Sequence, residues 1–221
     1  MLLAIDTATR TISLALYDGH RVVAESSWLT ANYHTVELTP SLAAMLDGAG
    51  LSPRDLRGVA VALGPGSFTG LRIGLGVAKG LVLASETTAL LGVPTLDVLA
   101  AAQGPPVDGE RLCALLQAGR GRLAAATYDW HEGGWRPSGG AFIATWDELP
   151  VRSARVVGEV DEAGLEALRE AGALEVVRGA ASLRRAGYLA ELGWARLERG
   201  EVDDPATLAP IYLHQPEGSA L

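Results

Sequence analysis

The chain has 221 residues, 48% of them hydrophobic and 20% charged, which is enough apolar material for one large unit or two small lobes and argues against both a disordered chain and a polar interaction tail. Eighteen basic residues stand against 26 acidic ones for a formal charge of −8, unevenly split: six basic and eight acidic over 1–103, twelve and eighteen beyond. A chain that wraps nucleic acid unaided carries a basic field, so any such role here needs a partner to supply it.

Residues 2–6 (Leu-Leu-Ala-Ile-Asp) form a short apolar run suited to a buried strand. After a turn at 7–10, the stretch from Thr11 to Tyr17 alternates as a strand does. Asp18-Gly19 then signals a tight turn, and Arg21 to Trp28 is a third strand candidate. Over 34–48 the period changes to three and four through Val36, Leu38, Leu42, Met45 and Leu46, an amphipathic helix that carries Pro40 in its first turn or at a kink.

Leu56 to Leu63 returns to strand and runs into Gly64-Pro65-Gly66-Ser67-Phe68-Thr69-Gly70, with a helix expected from Leu71 to about Ser85. Strand, glycine-rich loop and helix start form a context in which backbone N–H groups can face an anion. The same glycines can equally serve a tight turn and close packing. The spacing matches neither a Walker loop nor a dinucleotide fingerprint. Leu71 to Val93 resembles a membrane span in length, but Arg72, Lys79 and Glu86 interrupt it, so no membrane role is expected. Thr95 to Gln103 reads as a short helix.

Gly104-Pro-Pro-Val-Asp-Gly109 is the strongest boundary, giving an expected first lobe over 1–103 and a second over 104–202. In the second, strands are expected at Leu112 to Gln117, Leu123 to Trp130, Arg155 to Val157 and Leu174 to Val177. Residues 131–140 read as a polar turn region. Helices are expected at Glu159 to Ala171 and Ser182 to Arg199, followed by an extended tail over 208–213. Both lobes open with turn-linked strands and then add helices, the pattern of a duplicated α/β plan on mixed sheets.

The chemistry-bearing residues are sparse. Asp6 closes the first strand beside Thr7 and Thr9, where a carboxylate can hold a metal-bound water near a phosphate or cap the turn through its own backbone. With Gly64, Gly66 and Ser67 these make a possible vestigial nucleotide site. The four histidines are scattered, so no metal site is expected; His34 reads as a helix-start or surface residue. The lone Cys113 can form no intramolecular disulfide and fits a reducing cytoplasm. Along the helix after the loop, Gly70, Gly74 and Ala78 share one face and Gly76 and Gly80 another. The stripe of Ile73, Val77 and Leu81, with Arg72 keeping part of it polar, needs cover, as does the face of Leu38, Leu42 and Met45. These faces are either buried on the lobe's own sheet or form a protein interface.

Ile5-Asp6-Thr7-Ala8-Thr9, His34-Thr35 with Leu38 and Pro40, the run Gly64 to Gly74, Gly92-Val-Pro-Thr-Leu96 and Pro210-Ile-Tyr-Leu213 together resemble the bacterial TsaB (YeaZ) family, densely over 2–103 and thinly beyond. The resemblance implies a two-lobed, actin-like ASKHA fold, with the last helix and the tail (about 203–221) returning to the first lobe. It implies a non-catalytic, non-enzyme subunit that pairs with the catalytic subunit TsaD, is joined by the ATPase TsaE, and pairs with itself when alone. That complex moves a threonylcarbamoyl group from its adenylate to N6 of the adenosine beside the anticodon in transfer RNAs reading codons that start with A, and this chain would touch the RNA only indirectly. The partner interface would lie on the helices carrying Leu38, Leu42, Met45, Gly70, Arg72, Ile73, Gly74, Val77, Ala78 and Leu81. No cofactor is expected, ATP or ADP being the one candidate. Gln117-Ala118-Gly119 stands where the family's second lobe commonly has an aspartate followed by Ala-Arg, which weakens a nucleotide role further. The competing readings are an independent ASKHA-type ATP-dependent enzyme, which needs a second phosphate-site carboxylate, and a metallopeptidase, which needs metal ligands.

Overall fold

The computed structural model describes residues 1–31, 34–107 and 109–213, which fall into two compact units. The first comprises Met1–Val98 and Arg184–Ile211. Its strands are β1 (Leu2–Asp6), β2 (Thr11–Tyr17), β3 (Val22–Leu29), β4 (Gly58–Ala62) and β5 (Ala89–Val93), in the order β3-β2-β1-β4-β5. β1 pairs antiparallel with β2 (Ile5 opposite Leu14) and parallel with β4 (Ile5 opposite Val61). Every residue of β1 and β4 is buried, as expected of central strands covered on both faces.

The period of two in β1 decides what each face meets. Leu3 and Ile5 point into a core with Leu38, Leu42 and Leu46 of α1 (His34–Gly48) and with Leu75, Ala78 and Val82 of α2 (Phe68–Leu83). A short helix, α3, spans Thr95–Ala101. Leu2 and Ala4 point the other way, into a core with Ala186, Leu189 and Ala190 of a later helix, Ala186–Glu198. Asp6 has the same parity as Leu2 and Ala4. It therefore emerges at the start of that later helix, where Ser13 Oγ on β2 accepts the Ala186 amide at 2.8 Å.

The second unit, Leu99–Leu183 with Tyr212 and Leu213, repeats the plan. β6 (Arg111–Gly119), β7 (Arg122–His131), β8 (Gly134–Pro137), β10 (Ala154–Gly158) and β11 (Glu175–Val176) lie in the order β11-β10-β6-β7-β8, and β9 (Phe142–Ala144) pairs with β7. α4 (Glu162–Glu170) follows β10, and the helix Ala186–Glu198 is α5. In each unit two antiparallel strands lead outward from a central strand (β2 and β3 from β1, β7 and β8 from β6) and two parallel strands lie on its other side (β4 and β5, β10 and β11). Each unit is thus a mixed sheet with helices, as the sequence led one to expect. Cys113, Leu115, Leu123, Ala125, Val156 and Leu168 make the second core.

Several boundaries differ from those read in the sequence. α2 begins at Phe68, three residues early, because the Ser67 hydroxyl accepts the Gly70 amide and caps it. Residues 131–140, read as a turn region, contain β8, joined to β7 by a tight turn in which Glu132 has φ +49° and Gly133 φ +81°. β5 was hidden in the apolar run that continues α2. The second lobe was expected over 104–202; the division instead falls after Val98 and before Arg184, so α5 belongs to the first unit. Of the expected returning tail, residues through Ile211 group with the first unit, held by the Ile211 amide on the Leu63 carbonyl at 2.8 Å. Residues 214–221, His214 among them, lie outside the described residues. No helix among the described residues is long and apolar enough to cross a membrane.

On α1, Leu38 is fully buried while Val36, two residues earlier, is 68% exposed. Leu38→Ala is expected to cost about 2–5 kcal/mol, the range for emptying a packed leucine site, and Val36→Ala less than about 0.5 kcal/mol, as for a surface site. Urea unfolding of the two variants checks the contrast.

Candidate functional site

The residues proposed for a nucleotide converge, but on one another. At the end of β1 the Asp6 carboxylate, wholly buried, accepts the Ala8 amide on Oδ1 at 2.9 Å and the Arg184 Nε–H on Oδ2 at 2.5 Å. Arg184 is 4% exposed, and its Nη2 also donates to Thr9 Oγ1 at 3.0 Å and to the Thr11 carbonyl at 3.5 Å. No feature of the sequence signals this arginine: it lies 178 residues from Asp6, at a point read as the interior of a helix. The chain instead makes a separate turn at Gly179–Ser182 and continues extended through Leu183 and Arg185 before α5 begins. That break delivers Arg184 to Asp6.

The glycine-rich loop meets the same turn. Ser67 donates its amide to the Ala8 carbonyl at 2.6 Å, and Thr7 Oγ1 donates to the Gly70 carbonyl at 2.8 Å. A Cβ at Gly66 would lie 2.3 Å from the Ala8 carbonyl oxygen, at Gly70 2.1 Å from that of Thr7, and at Gly74 2.2 Å from Thr7 Oγ1. Gly64 exchanges hydrogen bonds with Thr95, its amide to Oγ1 and its carbonyl to the Thr95 amide, both 2.8 Å. Gly66 and Gly70 thus supply close approach of backbone to backbone, and Gly74 makes room for the Thr7 side chain. His34, expected as a cap or surface group, is buried at the start of α1 with Nε2 3.0 Å from the Thr9 carbonyl.

The expected interface divides in two. Leu38, Leu42, Gly70, Gly74 and Ala78 are buried against their own unit and are removed from it as outward contacts. Met45, Ile73, Val77 and Leu81 are half-buried on the edge of that core, and Arg72 is exposed. The face of α2 that does point outward is the other small-residue strip. Phe68 (53% exposed), Arg72, Gly76, Gly80 and Leu83 (76% exposed) follow one another at three and four residues. The Arg72 guanidinium stacks on the Phe68 ring at 3.8 Å. Val36, Thr39, Pro40, Ala43 and Ala44 are exposed on α1. Pro40 lies in the helix interior, with the ring that removes an amide turned to solvent.

Elsewhere, Gln117 spends its side-chain amide on the Glu159 carbonyl and Asp161 Oδ2, both at 3.3 Å. Burial pushes the Cys113 thiol up to about 12, so it offers no thiolate at neutral pH. Among the described residues no three His, Cys, Asp or Glu side chains converge as metal ligands.

The four glycines of α2 therefore differ in what they tolerate. Gly74→Ala is expected to destabilise by about 1–3 kcal/mol through overpacking, whereas Gly76→Ala, with nothing within 4 Å, is expected to stabilise by up to about 1 kcal/mol from helix propensity. Thermal unfolding of the pair gives shifts of opposite sign.

Comparison with known proteins bears on this geometry. The family model described as TsaD, tRNA N6-adenosine threonylcarbamoyltransferase, matches residues 28–147. The chain is 38% identical over 133 residues to the tRNA threonylcarbamoyladenosine biosynthesis protein TsaB of Escherichia coli (strain K12), a match covering 60% of this chain and 57% of that protein. It is 32% identical over 151 residues to TsaB of Bacillus subtilis (strain 168), covering 67% and 65%. The matches thus span less than two thirds of either relative. The solved structure of a Pseudomonas aeruginosa protein described as similar to peptidase YEAZ superposes with a TM-score of 0.80 at 26% identity, covering 96% of this chain and 99% of that one. With more than half of its length matched by the model, and with relatives and a near-complete structural counterpart of one kind, the chain belongs to the TsaD family, in its TsaB (YeaZ) branch.

Proposed function

We propose that this chain is a non-catalytic subunit of the machinery that makes threonylcarbamoyladenosine on transfer RNA. It binds and activates TsaD for transfer of the threonylcarbamoyl group to N6 of the adenosine beside the anticodon. The outward faces of α1 and α2 carry the contact. The same faces pair two copies when TsaD is absent, TsaE joins through the assembled pair, and the setting is the cytoplasm. The names of the relatives support the pathway, and the family model supports kinship with TsaD.

The observation that carries the interface is Gly76 and Gly80. Each costs a helix interior about 1 kcal/mol relative to alanine, and among the described residues neither has an atom beyond its own helical backbone and chain neighbours within 4 Å of where a Cβ would sit. Gly70 and Gly74 are explained by Thr7; these two are not explained by any contact among the described residues. A glycine strip beside the Ile73–Val77–Leu81 ridge is a groove into which a partner helix can pack closely. Phe68 and Leu83 at its ends supply the apolar anchors typical of such contacts. The chain's excess of acid fits a subunit that leaves RNA contact to others.

The reading as an independent ATP-dependent enzyme needs a free carboxylate at Asp6, which is engaged by Arg184. A peptidase reading needs converging metal ligands, which the described residues do not provide.

Gly76→Leu and Gly80→Leu, with circular dichroism and melting temperature retained, are expected to weaken co-purification with TsaD at least about tenfold, equivalent to 1.4 kcal/mol. They should also slow modification of transfer RNA by the reconstituted complex. Wild-type affinity in both variants would contradict the interface; modification by this chain without TsaD would contradict the assignment as a non-catalytic subunit.

A further inference from the structure

The ASKHA plan implies magnesium–ATP, and the residues at the end of β1 do not fit it. A magnesium ion needs oxygen ligands with lone pairs to spare and keeps several waters. Asp6 has no accessible surface; one oxygen is taken by the Ala8 amide and the other by Arg184. On the loop side the Thr7 and Ala8 carbonyls lie where a Cβ of Gly70 or Gly66 would sit, so the inner face of the loop is closed by backbone.

We infer that Arg184 is the resident ligand of the Asp6 carboxylate, a built-in guanidinium cation that takes the place of a metal–nucleotide and ties the start of α5 to β1 and β2. The ligand class this pocket accepts is a planar monocation. Asp6 Oδ2, Thr9 Oγ1 and the Thr11 carbonyl present three acceptors to one guanidinium, and Nε and Nη2 meet them. A dication could enter only by displacing the arginine from its hydrogen bonds to Asp6, Thr9 and Thr11.

The test uses the full chain without any partner, so its failure and the failure of the partner reading are separable. Arg184→Gln, which leaves Asp6 buried and unpaired, is expected to reduce the folding equilibrium constant by at least about a hundredfold. Asp6→Asn with Arg184→Gln removes both charges and is expected to be more stable than Arg184→Gln alone. A double variant whose loss equals the sum of the single losses overturns the pairing. In Arg184→Ala, millimolar methylguanidinium is expected to raise the melting temperature saturably, with no such rise in wild type or with tetramethylammonium; absence of rescue in a folded variant overturns the pocket. If Arg184→Ala does not fold, the double variant decides. Calorimetric titration of wild type with magnesium–ATP is expected to show no saturable binding, and saturable binding that Asp6→Asn abolishes overturns the exclusion.

Discussion

The first unit depends on a four-residue turn. Asp6, Thr7, Ala8 and Thr9 leave the central strand β1 at the point where α1, α2 and α5 all begin, and each helix is fastened to a different group of that turn. The His34 ring of α1 meets the Thr9 carbonyl. The loop entering α2 donates the Ser67 amide to the Ala8 carbonyl and receives the Thr7 hydroxyl at Gly70. The approach to α5 places Arg184 on Asp6 and Thr9. Polar groups taken from water at one place must find partners there, and here they find one another, with no buried side-chain polar atom left unpaired among the described residues. The small residues of the glycine loop follow from this crowding.

That arrangement separates the structural glycines of α2 from the others. Once Thr7 accounts for Gly70 and Gly74, Gly76 and Gly80 lie on the opposite side of the helix, with no contact from another element among the described residues. In the proposed subunit role, a partner surface packed onto those two glycines would offset their conformational cost.

The sequence exposed the parts governed by local chemistry. The apolar run of β1, the Asp18-Gly19 turn and the three–four period of α1 were legible because period and turn residues decide them. The duplicated lobe plan was legible because the same succession of signals recurs. The orientation of α2 was not. Its helical wheel displays two small-residue strips, and which one faces inward is decided by Thr7, 63 residues away. Arg184 was invisible for the same reason, at a separation of 178 residues. β5 was concealed because a buried strand following a buried helix changes no composition. β8 was concealed because only Trp135 of its four residues is buried, so no alternation marks it.

The most direct measurement is native-state amide exchange of the chain alone at Ala8 and Ser67, whose amides close the turn, and at Gly70, whose amide caps α2 beside it. If the turn is complete in itself, these amides exchange only with global unfolding, in the same class as β1, and magnesium–ATP leaves their rates unchanged. Fast exchange through local opening, slowed by nucleotide, would show the turn to be an open ligand site and contradict the account.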